Sequence, residues 1–254
     1  MNIISIVNQK GGVAKTTTAI NLASSLVELN KKVLVVDMDP QANMTQGLGF
    51  ENNNKTTVYE ILTNKLALNE GIYSTDINGL DIVASDIKLA NAELELSGEL
   101  GRETLLRESL QKSENLDYDY IIIDCNPSLG LLTVNALVAC RETIIPVEPS
   151  IFSLEGIEQL INVIKTIKRK LNERLNIKSV LLTRVDGRTN IADEFLNELK
   201  NIFGNKVFDT IIHQNVKIAE AQTKSTPINI YDKNARGAKE YKSLAKELIN
   251  FESN

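Results

Sequence analysis

The 254-residue chain has one histidine, two cysteines and five prolines, and each scarcity closes off a chemistry. With His213 alone, neither a Ser-His-Asp nucleophile nor a histidine metal cluster can be assembled. Cys125 and Cys140 are isolated. Lacking a C-x-x-C pair, they argue against a disulfide framework and a zinc site, and the expectation is reduced, semi-buried thiols. No Pro/Gly/Ser-rich linker, internal repeat or low-complexity tract divides the sequence, so residues 1–254 are expected to form one domain around a full core. No apolar run approaches the length of a membrane span, and the first residues enter a strand-like run with no basic segment and apolar core ahead of it. The expectation is a cytoplasmic protein without stable membrane association.

Net charge is also small, at −5, but unevenly spread. Residues 1–164 carry 11 basic and 22 acidic groups, whereas residues 165–254 carry 17 and 11. A basic face confined to the carboxy-terminal third is expected. For any single lysine, a solvated helix face is the commoner explanation. This applies to Lys165, Lys168, Arg169, Lys170 and Arg174 on the helical stretch from Leu154 to about Leu175.

Against these absences stands one stretch, Asn8-Gln9-Lys10-Gly11-Gly12-Val13-Ala14-Lys15-Thr16-Thr17. Ile3, Ile4, Ile6 and Val7 before it suit a buried strand, while Ala19, Ile20, Leu22, Ala23, Leu26 and Val27 after it recur at helical spacing. Strand, glycine turn and helix start form a phosphate cradle. Backbone N–H groups close around the anion, the helix adds its positive end, and Lys15 adds a point charge. The Thr16 hydroxyl then suits Mg²⁺. The usual G-x-x-x-x-G-K-[ST] pattern is broken at Gln9 and Ala14, and a second lysine, Lys10, has no evident structural need.

Further strand-like runs follow at Val33–Val36, Leu80–Ala84, Tyr120–Asp124, Thr143–Val147, Ser179–Leu182 and Val207–Ile212, with helical patterns between them. The polar region from Asn52 to Asn78 reads as a helix and connecting loops, and leucines from Leu94 to Leu110 fit surface helices. Alternating strands and helices imply right-handed crossovers, hence an α/β fold with a mainly parallel twisted sheet and helices on both faces. Asp37 and Asp39 end one continuous apolar run and Asp124 another. Carboxylates there sit where ligands bind in open sheets, and Asp124 could hold Mg²⁺ through water beside Thr16.

Lys10-Gly-Gly-x-x-Lys-Thr-Thr resembles the deviant Walker A loop of the ParA/MinD family. Val35–Asn43 is similar to the switch I segment of ParA/Soj partition ATPases, and Ile122–Gly130 to their Walker B and switch II segment. The likeness continues through Ser153–Gly156, Asp186–Asn190, Asn215–Lys217, Ala219–Ala221 and Ala235–Ala238, covering nearly the whole chain. The resemblance implies ATP and Mg²⁺ as cofactors, the loop Lys10–Thr17 around the phosphates, and Lys10 acting across an ATP-bound homodimer. It further implies Lys15 as the phosphate lysine, Thr17 at the α-phosphate, Asp39 orienting the attacking water and Asp37 supporting the metal side. Arg184, Asp186 and His213 fall near the family's base-binding region. Arg188 and Lys217 match its non-specific DNA contacts, and Gln214 is uncharged where relatives often carry arginine. A ParB-like partner is expected to speed a slow hydrolysis.

Three departures matter. Ala14 and Ala42 stand where glycine is usual, so a left-handed backbone at either would cost roughly 1 kcal/mol or somewhat more. Asn126 stands where proline is usual, which is expected to loosen switch II. Rival readings are a MinD-like membrane switch, which wants a basic amphipathic final helix that this acidic carboxy terminus does not supply, and a metabolic or iron–sulfur reductase ATPase. A sequence-specific repressor is disfavoured because no helix-turn-helix segment precedes the first strand.

Overall fold

The computed structural model describes residues 1–150, 153–187 and 191–253. In chain order the elements are β1 (Asn2–Ile6), α1 (Lys15–Glu28), β2 (Val33–Met38), α2 (Asn43–Gly47), α3 (Val58–Thr63), β3 (Ile72–Ser74) and β4 (Leu80–Val83). These are followed by α4 (Leu89–Glu95), α5 (Leu105–Lys112), β5 (Tyr120–Cys125), α6 (Leu131–Ala139), β6 (Glu142–Val147) and α7 (Ser153–Lys170). The chain closes with β7 (Asn176–Leu182), α8 (Ile191–Phe203), α9 (Val216–Thr223), α10 (Ile228–Tyr231) and α11 (Arg236–Ser253).

The seven strands form one sheet in the order β3-β4-β2-β5-β1-β6-β7, parallel throughout except at the β3 edge. Strands β2 and β5 are buried at every residue, which explains their unbroken apolar runs. The two-residue period of a strand divides them between two cores. Leu34, Val36, Ile121 and Ile123 face a cluster shared with α3 to α7, whereas Val33, Val35 and Ile122 face one built with α1 and α11. In the second cluster Tyr241 of α11 is fully buried, with its hydroxyl 3.4 Å from that of Thr18 in α1. This packing brings the start of α11 alongside the helix that follows the glycine loop.

Two expectations need correction. The polar region 52–78 contains the edge strand β3, three residues long and therefore too short to show a period. Val207–Ile212 is not a continuous strand: it meets β7 at an isolated bridge from Val180 to Val207 and again where the Ile212 N–H donates to the Leu182 carbonyl at 2.9 Å, and a second bridge joins Val185 to His213. Between them the Asp209 and Thr210 N–H groups donate to the Glu247 carboxylate of α11, at 2.7 and 3.0 Å, and so leave the ladder. Leu94, in α4, and Leu100 project into solvent at 78% and 98% exposure.

Candidate phosphate and base site

The chain leaves β1 and turns through Gly12 at φ 78°, into a left-handed Ala14 at φ 64° and ψ 34° that starts α1. No described side chain caps that helix start, so its first N–H groups are open to an anion. A side-chain carbon placed on Gly11 or Gly12 would meet nothing within 4 Å, so the loop fronts an open cradle. Lys15 is buried, and burial holds its ammonium below the usual lysine range, with the nearby Asp124 carboxylate as the main opposing influence. Its Nζ donates to the Lys10 carbonyl at 3.1 Å. The Lys10 ammonium folds back on its own chain and donates to Ser150 Oγ at 2.9 Å.

Register sets the carboxylates. Asp37 and Asp124 are direct partners across β2 and β5, and Ile6 faces Asp124 from β1, so the strand ends converge beside the loop. Asp124 is fully buried, and among the described residues neither of its oxygens has a hydrogen-bond partner. Burial, then the Asp37 charge, pushes its carboxyl well above the usual carboxylate range, against weaker opposing effects of Thr16 and Lys15. Two orphaned buried oxygens facing a hydroxyl and an ammonium fit a hard cation with its water, the donor set Mg²⁺ favours.

Asp37, expected on the metal side, also holds the local turn. Its Oδ1 accepts from the Asp39 N–H at 3.1 Å, and its Oδ2 accepts from both the N–H and hydroxyl of Thr45, at 2.9 and 2.7 Å. These three bonds staple the turn after β2. Burial nevertheless raises the Asp37 carboxyl to about 6, with the Thr45 bonds opposing the rise. Asp39 lies at the mouth, its Oδ1 accepting from the Gln41 N–H at 2.9 Å. Ala42 is left-handed at φ 52°, as Ala14 is, so both alanines adopt the backbone that glycine takes most easily. Asn126 is tied down, donating to Ser128 Oγ at 3.0 Å and accepting from Thr133 Oγ1 at 2.8 Å, so the segment expected to be loosened there is anchored.

Two cavities join into one trough. The first, about 580 Å³, is lined by Gly11, Gly12, Ala14–Thr17, Asp39 and Pro127 among others. The second, about 710 Å³, is lined by Asp186, Gly187, Ile212–Val216, Ile218, Ala219, Arg236 and Tyr241 among others. Ala14, Thr17, Arg184 and Gln222 border both. Gln222 donates to Thr17 Oγ1 at 2.7 Å, and Arg184 donates to Glu148 at 3.3 Å. Of the sequence-derived residues, Ala14, Thr17, Asp186 and His213 thus border the second cavity, and Gly11, Gly12, Ala14, Lys15, Thr16, Thr17 and Asp39 the first. Val13 is buried beneath the loop, its carbonyl accepting from Thr183 Oγ1 at 3.1 Å.

Lys217 lies at the exposed start of α9, its ammonium 2.7 Å from a Glu220 carboxylate oxygen that also accepts from Tyr231 at 2.8 Å. Arg188 lies outside the described residues. Ser150, Gln222, Arg236 and Glu240 were not foreseen, because each reaches the site only through long-range packing. Cys125 and Cys140 are fully rather than partly buried.

A glycine loop between strand and helix, a buried lysine and a strand-end aspartate with orphaned oxygens define a P-loop nucleotide-binding protein. A family model described as an AAA domain matches residues 1–177. The sporulation initiation inhibitor protein Soj of Bacillus subtilis is 45% identical over 247 residues, covering 97% of each chain. The chromosome partitioning protein ParA of Myxococcus xanthus is 44% identical, covering 97% of this chain and 87% of its own. Among solved structures, cobyrinic acid a,c-diamide synthase from Mycobacterium smegmatis with bound ADP and magnesium superposes with TM-score 0.86 at 30% identity, covering 100% of this chain and 96% of that one. The chain belongs to the Soj/ParA family of partition ATPases.

Proposed function

We propose that the protein is an ATP-dependent dimerising switch that hydrolyses ATP to ADP and phosphate and, in its ATP-bound dimer, binds DNA without sequence preference. It works in the cytoplasm with a ParB-like partner in chromosome or plasmid partitioning. The observation that carries this reading is the trough: its smaller cavity brings Gly11, Gly12 and Ala14–Thr17 together with Asp39 and shares Thr17 and Gln222 with a second cavity of about 710 Å³, roomy enough for a nucleoside.

Triphosphate oxygens would take up the open N–H groups of the loop and the Lys15 ammonium. Thr16, with Asp124 through water, would hold Mg²⁺, which when bound neutralises developing phosphate charge. Asp39 at the mouth would orient a water in line with the γ-phosphoryl group, and Lys10 of a second subunit would add positive charge there. Because such a site is completed only by a partner, turnover in the lone chain is slow. Lys217 and Arg188 would contact backbone phosphates, giving salt-dependent affinity without base readout.

The membrane-switch alternative is opposed by α11. Leu248 is fully buried, Ile249 packs on the same core and the Phe251 ring lies 5.7 Å from that of Phe208. Leu248 and Ile249 therefore serve the fold, although Phe251 is 42% exposed, and no described helix is long and apolar enough to cross a membrane.

The central test is sedimentation of an Asp39→Ala protein with ATP and with ADP, alongside a DNA mobility-shift titration. A dimer with ATP alone and tighter DNA binding with ATP are expected. Absence of a nucleotide-dependent dimer, or equal DNA affinity with and without ATP, would overturn the reading.

A further inference from the structure

At the far end of the trough one carboxylate organises three groups. The Glu240 Oε2 accepts from the backbone N–H of His213 at 2.9 Å, and its Oε1 lies 2.8 Å from His213 Nδ1 and 2.7 Å from Arg236 Nε. Glu240 and His213 are 14% and 19% exposed, so the cluster is largely shielded. Holding the backbone and ring of one residue with the same carboxylate fixes the ring's orientation. An ionised carboxylate only accepts, so Nδ1 must carry the proton and, in the neutral imidazole, Nε2 is left as an acceptor.

The ring also faces the cavity. His213 lines it, and a side-chain carbon built on Gly187, another lining residue, would fall 3.6 Å from Cδ2, the ring atom bonded to Nε2. Among the described residues nothing is hydrogen-bonded to Nε2. The other charged liners are Arg184, engaged with Glu148, Asp186, and Arg236, engaged with Glu240. Adenine presents an amino donor where guanine presents a carbonyl acceptor. An acceptor nitrogen held at this end therefore attracts one base and repels the other.

We infer that Glu240 is a positioning residue that fixes His213 in the Nδ1–H tautomer and thereby sets a preference for adenine over guanine nucleotides. The inference rests on the nucleotide reading of the trough. Discrimination comes from the Nε2 lone pair of the neutral imidazole, oriented by the carboxylate that takes the Nδ1 proton's hydrogen bond, and Arg236 shares the anchor.

Because His213 is the sole histidine, a long-range proton–nitrogen spectrum of the labelled full chain at pH 8 contains one imidazole. Wild type is expected as the Nδ1–H tautomer, and Glu240→Ala as a mixture rich in Nε2–H. In competition binding the ATP-to-GTP affinity ratio should fall roughly tenfold in Glu240→Ala, the loss of one oriented hydrogen bond. The fall should be smaller in Glu240→Gln, which keeps the volume and one acceptor oxygen. An Nε2–H tautomer in wild type, or an unchanged ratio in both variants while ATP binding still depends on Lys15, overturns the inference alone. If neither nucleotide binds in a Lys15-dependent way, the nucleotide reading falls and the inference with it.

Discussion

Replacing Ala14 by glycine should stabilise the protein, although the substitution puts glycine at the start of a helix. Ala14 sits at φ 64° and ψ 34°, a conformation that costs an L-residue with a Cβ about 1–2 kcal/mol. Glycine removes that cost but adds unfolded-chain freedom worth about 0.4–1 kcal/mol. The Ala14 carbonyl keeps its bond from the Thr18 N–H, 2.9 Å, in either case. The net gain is therefore about 0.5–1 kcal/mol, or roughly 1–4 °C in Tm for a chain of this size. Ala42 is the internal control. It has the same left-handed backbone at φ 52°, but its methyl is 8% exposed. Deleting a buried methyl forfeits about 0.8 kcal/mol, so Ala42→Gly should be close to neutral. Thermal unfolding followed by circular dichroism, without nucleotide, compares the two. A lower Tm for Ala14→Gly would refute the assignment of strain there, and an equal gain in both variants would refute the offset assigned to the buried Ala42 methyl.

Other perturbations address separate parts of the site. Thr45→Val removes the 2.7 Å hydroxyl bond to the buried Asp37 and the acceptor for the Ser85 N–H, at a cost of roughly 2–4 kcal/mol; a urea midpoint shift with unchanged slope measures it. Lys15→Ala should weaken ATP binding by the monomer, whereas Lys10→Ala should spare it and abolish ATP-dependent dimers and hydrolysis; equilibrium binding beside sedimentation separates them. Glu220→Gln frees Lys217 from its ion pair and should tighten DNA binding. Lys217→Ala should weaken it and, for each phosphate the lysine neutralises, lower the log–log salt slope by about one, read by mobility shift across salt. Burial pushes the Cys140 thiol up to about 11 and the Cys125 thiol well above its usual range. Neither should react with a thiol reagent at pH 7.5 until denaturant is added, and prompt native reaction would contradict their burial.

What the sequence could reveal depended on distance along the chain. The loop Lys10–Thr17 and the strand-end Asp37 and Asp124 were legible because each is a local pattern: an apolar run, then a turn residue or carboxylate. The left-handed state of Ala14 and Ala42 was raised only conditionally, from the glycine that the resembling family usually carries at both positions. The pairing of Asp37 with Asp124 was not legible, because it depends on β2 and β5 lying side by side in register. Gln222 reaches Thr17 from 205 residues away, and Ser150 reaches Lys10 from 140. No short-range signal encodes such long-range pairs. Val207–Ile212 misled for the complementary reason: its strand-like composition is real, but Glu247 on α11 competes for two of its N–H groups. The metal side was assigned to Asp37 through the family resemblance, whereas its three local hydrogen bonds, one to Asp39 and two to Thr45, could be seen only in the structure.

The two loop lysines differ in what holds them, and that difference suits their proposed division of labour. Lys15 is buried, and its ammonium lies within the field of Asp124, so it is committed to its own site. Its present acceptor, the Lys10 carbonyl, is neutral; a phosphate oxygen is charged and makes a hydrogen bond roughly twice as strong. A nucleotide that draws Lys15 away would therefore also free the Lys10 carbonyl, while the Lys10 N–H stays bonded to Asn8 Oδ1 at 3.0 Å. Lys10 itself is held by one bond to the Ser150 hydroxyl rather than by a carboxylate. A single bond to a neutral hydroxyl contributes roughly 1–2 kcal/mol, and a carboxylate acceptor would about double it. A lysine intended for a second subunit must be cheap to detach, yet kept from wandering into its own phosphate site, where it would compete with Lys15. The bond to Ser150 would meet both conditions in the proposed dimer.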